Sequence, residues 1–382
     1  MTRVDAEAAD AADPLRGFRA RFHLPDGVIY LDGNSLGAPC DAVLLARADV
    51  ENEWARSLVT AWERWVDVPR ETGDLLGATV LGAASGQVIV ADSTTINLYK
   101  AVAAALSLRA DRTRVLLEAD GFPTDRYVVE RMANDVTRVP LEHIADAIDD
   151  AVALVVASAV DFRTADLADV RTITQVAHER GALVLWDLSH AAGAVPLRLD
   201  EWDVDFAVGC TYKYLNAGPG SPAYIYVARR LQDDATQPIP GWFGHADQFA
   251  MEPDYRPAEG ITRFLTGTPN IPGTVAIAAG VRLLADAGLD RVRTKSVALT
   301  TLAIARADEL GFDVATPRDP EQRGSHVALR IDGVADVCAR LARDHNVITD
   351  HRPPDILRLG FAPLYTRFAD VWDAFAALEA FS

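Results

Sequence analysis

The chain has 382 residues, of which 49% are hydrophobic and 24% charged, so it can build a large apolar core and is no disordered segment. Its 37 basic and 55 acidic side chains leave a formal charge of −18, which excludes the basic footprint of a nucleic-acid binder. The longest uncharged apolar run, residues 151–160, is about half of what a bilayer span requires, so no membrane partner is expected.

The first residues, MTRVDAEAADAAD, lack the basic start and apolar stretch of a secretion signal, and a cytoplasmic protein is expected. Cys40, Cys210 and Cys338 are odd in number, far apart and outside any metal-ligand pattern, so neither disulfides nor a metal are expected. The strand-like VIYLD (28–32) runs into Gly33-Asn34-Ser35-Leu36-Gly37, which matches the GxSxG of a nucleophile elbow. In that hydrolase fold several strands and an oxyanion-hole loop precede the serine, and some 30 residues cannot hold them. A Gly/Asn turn that lines a site, or merely turns, is the better reading.

From 88 to 228, apolar β-rich runs at 88–91, 114–118, 153–158, 182–187, 206–210 and 223–228 alternate with helical patterns at 95–108, 125–133, 142–150 and 168–180. That alternation predicts an α/β domain on a mostly parallel sheet, in which ligands bind beyond the carboxyl ends of the strands. At the first such end, Asp92-Ser93-Thr94-Thr95 opens a helix; it can be a plain N-cap or an anion cup for a cofactor phosphate. Phe122, in GFPTD, follows the second run and can pack or stack on a flat ring.

Only three of the 37 basic residues are lysines: Lys100, Lys213 and Lys295. A chain that writes Arg for surface charge uses Lys where an amine is needed, because only an amine forms a Schiff base. Lys100 and Lys295 fall in helical patterns and read as solvated charges. Lys213 sits at a strand end, in Thr211-Tyr212-Lys213-Tyr214, and the preceding strand ends in Asp187, with His190 just beyond. An amine and a carboxylate at neighbouring strand ends suit pyridoxal phosphate, with Lys213 as Schiff-base partner and Asp187 on the pyridine nitrogen; a structural ion pair is the alternative.

Past the Pro/Gly-rich 267–273, residues 274–310 predict one long or two consecutive helices bridging two domains. Strands at 325–330, 347–350 and 356–360 and helices at 333–344 and 368–380 then predict a smaller α+β unit. Arg358, inside the apolar ILRLG and without a carboxylate next to it in sequence, can clamp a substrate carboxylate or form a plain salt bridge.

YLDGNSLG (30–37), FPTD (122–125), WDLSHAAG (186–193), DVDFAVGCTYKYLNAGPG (203–220), GWFGH (241–245) and LRLGFAPLY (357–365) together resemble the kynureninases, in order along nearly the whole chain. The resemblance implies a pyridoxal 5'-phosphate enzyme of the aspartate-aminotransferase-like, type I fold. A large cofactor-binding domain would span 51–280, and a small domain 281–382, completed by 1–50. It implies hydrolysis of the Cβ–Cγ bond of L-kynurenine or its 3-hydroxy analogue. Lys213 would form the Schiff base, Asp187 would pair with the pyridine nitrogen, and His190 would lie beside the ring oxygen. Thr94 and Thr95 would contact the phosphate, Phe122 would stack on the ring, and Asp125 and Ser158 would line the pocket. Tyr212 would reach the phosphate and donate a proton. Trp242 and Thr268 would come from the second subunit of a homodimer. Arg358 would hold the α-carboxylate, with Asn34 and Ser35 near the substrate. A desulfurase shares the fold and cofactor but would need a reactive cysteine near Arg358, where 347–355 reads VITDHRPPD. An aminotransferase of the same fold, or a non-catalytic protein built on it, would share the same framework.

Overall fold

The structure is a computed structural model and describes residues 2–381. A seven-stranded sheet is built from β2 (Val88–Ala91), β3 (Arg114–Glu118), β4 (Asp135–Val139), β5 (Val152–Ser158), β6 (Leu183–Asp187), β7 (Phe206–Gly209) and β8 (Ala223–Val227). Their order is β2-β8-β7-β6-β5-β3-β4, parallel except that β8 runs against both neighbours. Strands β2, β5, β6, β7 and β8 are buried along their whole length. Both faces are covered by helices, which is why these segments read as unbroken apolar runs. Alternate side chains divide between two cores: Val184 and Trp186 face one with the helices Val170–Glu179 and Ile271–Ala287, while Leu183 and Leu185 face the other with Thr94–Leu108.

Two elements differ from the sequence reading. Strand β4, with an exposed Thr137 and Arg138, is the sheet's edge, so packing on one side replaces the apolar run that marks its neighbours. Residues 142–150, read as a helix, form only the short turns Leu141–His143 and Ile144–Ala147.

The bridging segment is two helices, Ile271–Ala287 and Leu289–Glu309, bent by 80° at Gly288, whose φ of +81° suits glycine. Among the described residues no single helix is long and apolar enough to cross a membrane. The second helix joins a third core with a four-stranded antiparallel sheet, ordered β12 (Asp350–Arg352), β13 (Ile356–Gly360), β10 (His326–Arg330), β9 (Asp313–Val314). Strand β1 (Ile29–Tyr30) pairs with β11 (Val347–Ile348), carrying the N-terminal segment across from the first core, where Leu15 and Phe22 pack, to the third, where Leu31 packs.

Lys100 and Lys295, expected to be solvated, are buried instead. Lys295 Nζ lies 2.7 Å from Asp13, itself buried and accepting from the Leu15 amide. Helical periodicity cannot show that an N-terminal carboxylate meets this face. Breaking a buried pair strands one charge, so Asp13→Ala should destabilise by about 3–5 kcal/mol, and Asp13→Leu with Lys295→Met by much less, read by urea unfolding.

Candidate active site

Beyond the carboxyl ends of β2, β3, β5, β6 and β7 lies a cavity of about 380 Å³. Nine of the residues singled out above line it: Thr94, Thr95, Phe122, Asp125, Ser158, Asp187, His190, Tyr212 and Lys213. Each stands at a strand end or the helix start that follows, so the parallel topology alone gathers segments more than 100 residues apart.

The cavity has one end rich in N–H donors and one rich in charge. Ser93 caps the helix Thr94–Leu108, its side chain accepting from the Ile96 amide at 3.4 Å, and Thr94 and Thr95 open the first turn, where free N–H groups favour an anion. Opposite, Lys213 Nζ lies 2.7 Å from His190 Nε2. Burial and the Lys213 ammonium hold the His190 imidazole well below its usual pKa, so the neutral ring accepts through Nε2 and carries its proton on the buried, unpartnered Nδ1. Asp187 Oδ1 accepts from the Ser189 amide at 2.7 Å. Burial first, then the neighbouring Asp187, pushes the Asp125 carboxyl well above the usual carboxylate range. Glu118, behind them at the end of β3, accepts from the Ser158 amide at 2.7 Å and is raised by burial to about 7. The Cys210 thiol beside it and burial raise the Tyr212 hydroxyl, which stays protonated.

Phe122 lines the wall edge-on to Phe162, with ring centroids 5.3 Å apart. Phe162 also joins this cavity to the small sheet, because its carbonyl accepts from Arg358 Nη1. Arg358 is fully buried, and the salt bridge left open for it in the sequence is present, with a carboxylate from the neighbouring strand. The register of β12 on β13 places Asp350 directly opposite, where it accepts from Nε at 2.7 Å and also from Nη2. Ser35 Oγ accepts from Nη2 at 2.9 Å and donates to Asp350 at 2.6 Å, so its hydroxyl serves the arginine. Bonds to Arg358 outweigh burial and hold Asp350 below the usual carboxylate range, whereas burial and Asp350 raise Asp32. Asn34 is fully buried with both amide atoms unpartnered, pressed so closely on Gly360 that a Cβ there would stand 1.8 Å from Asn34 Oδ1.

The two loops that frame the site lock together at Gly37, whose amide donates to the Tyr212 carbonyl at 2.7 Å. A Cβ on Gly37 would meet the Lys213 carbonyl at 2.4 Å. Trp242 and Thr268 lie outside the cavity: Trp242 is exposed and packs on Phe243 and Phe249, and Thr268 lines a neighbouring cavity with Asp92 and Thr266. Cys338 sits on the helix Val334–His345, where its Sγ accepts from Thr349 Oγ1 at 3.5 Å. Sequence reading missed Asp350, Phe162 and Glu118. The strand-like VITD and ILRLG on either side of a Pro-Pro turn held a signal for Asp350, since a hairpin pairs those runs.

These residues fit pyridoxal phosphate: an amine for the aldehyde, a carboxylate for the ring nitrogen, a flat aromatic wall, an unpartnered buried imidazole N–H and a helix start for the phosphate. Solved structures similar in fold include a cysteine desulfurase of Thermococcus onnurineus, with a TM-score of 0.84 and 20% identity over 95% of this chain and 97% of that one. A variant of C-DES with glycine covalently linked to its pyridoxal-phosphate cofactor superimposes with a TM-score of 0.85 at 16% identity, covering 95% of this chain and 99% of that one. These place the chain in the type I fold of pyridoxal-phosphate enzymes. Residues 292–378 match the model of the kynureninase C-terminal domain. A kynureninase of Pseudomonas fluorescens is 43% identical, covering 98% of this chain and 94% of that protein, and one of Burkholderia pseudomallei is 42% identical over 99% and 95%. With identity of that degree from end to end, this chain belongs to the kynureninase family.

Proposed function

We propose that this protein hydrolyses the Cβ–Cγ bond of L-kynurenine, or of its 3-hydroxy analogue, to anthranilate or 3-hydroxyanthranilate and L-alanine. The single observation that carries the reading is the cavity that unites Lys213, Asp187, His190 and the Thr94–Thr95 helix start in a chain of this family. Bound pyridoxal phosphate supplies an electron sink for charge developing at Cα. Lys213 would hold the cofactor through its amine and, once that amine is free, would remove the Cα proton of the substrate. Asp187 keeps a proton on the pyridine nitrogen. Thr94 and Thr95 bind the phosphate, Phe122 stacks on the ring, and Asp125 and Ser158 close the pocket. Arg358, with Ser35 and Asn34 beside it, orients the α-carboxylate. Water adds to the γ-carbonyl, and Tyr212, held protonated, returns a proton to Cβ as the aromatic product leaves.

We further propose a cytoplasmic homodimer acting in tryptophan catabolism or in NAD biosynthesis, with Trp242 and Thr268 completing the partner's phosphate site. In support, both residues stand outside their own cavity, and Trp54, Leu58 and Val59 are exposed on the surface.

Wild-type protein with pyridoxal phosphate should release the anthranilate product from L-kynurenine, while Lys213→Ala loses both turnover and the visible absorbance of the bound cofactor. Absorbance surviving that substitution would overturn the assignment. Arg358→Gln should raise KM roughly 10- to 100-fold by removing a charge-assisted pair, with the cofactor absorbance retained, as steady-state kinetics would show. Light scattering should give twice the 41.3 kDa of one chain, and mixing inactive Lys213→Ala with an inactive Trp242→Ala should restore activity through hybrid dimers. A monomer, or no rescue, would refute the shared site.

A further inference from the structure

Lys100, like Lys295, has no part in the chemistry above and no surface role, but unlike Lys295 it pairs with a carboxylate, Asp92, that lines the cavity. It is fully buried in the first half of the helix Thr94–Leu108, toward the end where the helix dipole disfavours a cation. Its Nζ pairs with the carboxylate of Asp92 and donates to the Phe264 carbonyl at 2.6 Å. Asp92 links β2 to Ser93 in a left-handed conformation, φ +44°, that a non-glycine residue holds only when its surroundings demand it. Its second carboxylate oxygen accepts from Thr266 Oγ at 3.1 Å, and its carbonyl from the Ala223 amide at 2.9 Å. Asp92 lines both the main cavity, beside Thr94 and Thr95, and the neighbouring one, beside Thr266 and Thr268. One buried ammonium thus ties the start of the helix to the segment Phe264–Thr268.

We propose that Lys100, acting through Asp92, is a positioning residue for the cofactor phosphate. This rests on the pyridoxal-phosphate reading above and deepens it. The ammonium fixes Asp92, and with it the backbone that presents Ser93, Thr94 and Thr95, and it neutralises a carboxylate that would otherwise stand bare beside a phosphate dianion. Both effects have the same sign. Losing Lys100 slackens the loop and leaves a negative charge where the ligand is negative. Burial lowers the Lys100 pKa, opposed by Asp92, in keeping with an ammonium sustained by its partner.

The test compares cofactor binding by wild type, Lys100→Met and the double variant Lys100→Met with Asp92→Asn. Release of pyridoxal phosphate from each holoenzyme, and titration of each apoprotein with pyridoxal phosphate and with pyridoxal, are followed by the visible absorbance. Lys100→Met should weaken pyridoxal phosphate about tenfold or more and leave pyridoxal, which lacks the phosphate, within about twofold. The double variant should recover most of the loss, because no bare carboxylate remains. Equal weakening of both ligands, no weakening, or no recovery in the double variant overturns the inference. Should Lys100→Met fail to fold, Lys100→Gln keeps a donor for the Phe264 carbonyl, removes the charge and carries the same expectations. A wild type that binds no pyridoxal phosphate overturns the functional reading and this inference together, whereas wild-type binding with an unaffected variant overturns this inference alone.

Discussion

Strands that run parallel end on the same side, and the whole site depends on that constraint. Strand β6 delivers Asp187 and its neighbour β7 leads into Tyr212 and Lys213, with Asp187 in register with Val208. Strands β2, β3 and β5 bring the helix start at Thr94 and Thr95, Phe122 and Ser158 to the same edge. A carboxylate and an amine are thereby set around one cavity by backbone pairing, with no need for either side chain to find the other. The antiparallel β8 lies between β2 and β7 and sends its own ends the other way, so the helix start at Thr94 and the lysine stand one strand apart.

Around that edge the protein buries charge in matched sets. Arg358 has Asp350, Lys100 has Asp92 and Lys295 has Asp13. Each pair joins segments that have to hold a fixed distance: the two arms of the small-sheet hairpin, the helix start and the 264–268 segment, the N-terminal segment and the helix Leu289–Glu309. An isolated buried charge is costly, so each pairing admits few competing arrangements. Arg358 is the most constrained, since Asp350, Ser35 and the Phe162 carbonyl hold its guanidinium from three segments. Its guanidinium is thereby fixed in one orientation.

Glycine and polar burial explain how the first 40 residues reach the site. At Gly37 the chain passes so close to the Lys213 carbonyl that any side chain would collide, and the Gly37 amide bonds to the residue before the lysine. Asn34 fills the space over Gly360 in the same way. The GNSLG segment, which mimics a nucleophile motif, is thus shaped by close backbone approach, and its serine is engaged with Arg358 and Asp350.

Local physics settled much of this before any coordinates. Doubly covered strands have to be apolar along their length, so β2, β3, β5, β6, β7 and β8 were legible as runs, and the parallel topology then identified their ends as the place to look. The scarcity of lysine picked out Lys213, and the spacing of Asp187 before it suggested the ring chemistry. The edge strand β4 was not legible, because one covered side leaves no continuous pattern. Nor was the pairing of Arg358 with Asp350, of Lys100 with Asp92, or of Lys295 with Asp13. A helical or strand period reports which face is apolar, but the partner of a buried charge is set by where distant segments cross, and that only the tertiary structure decides.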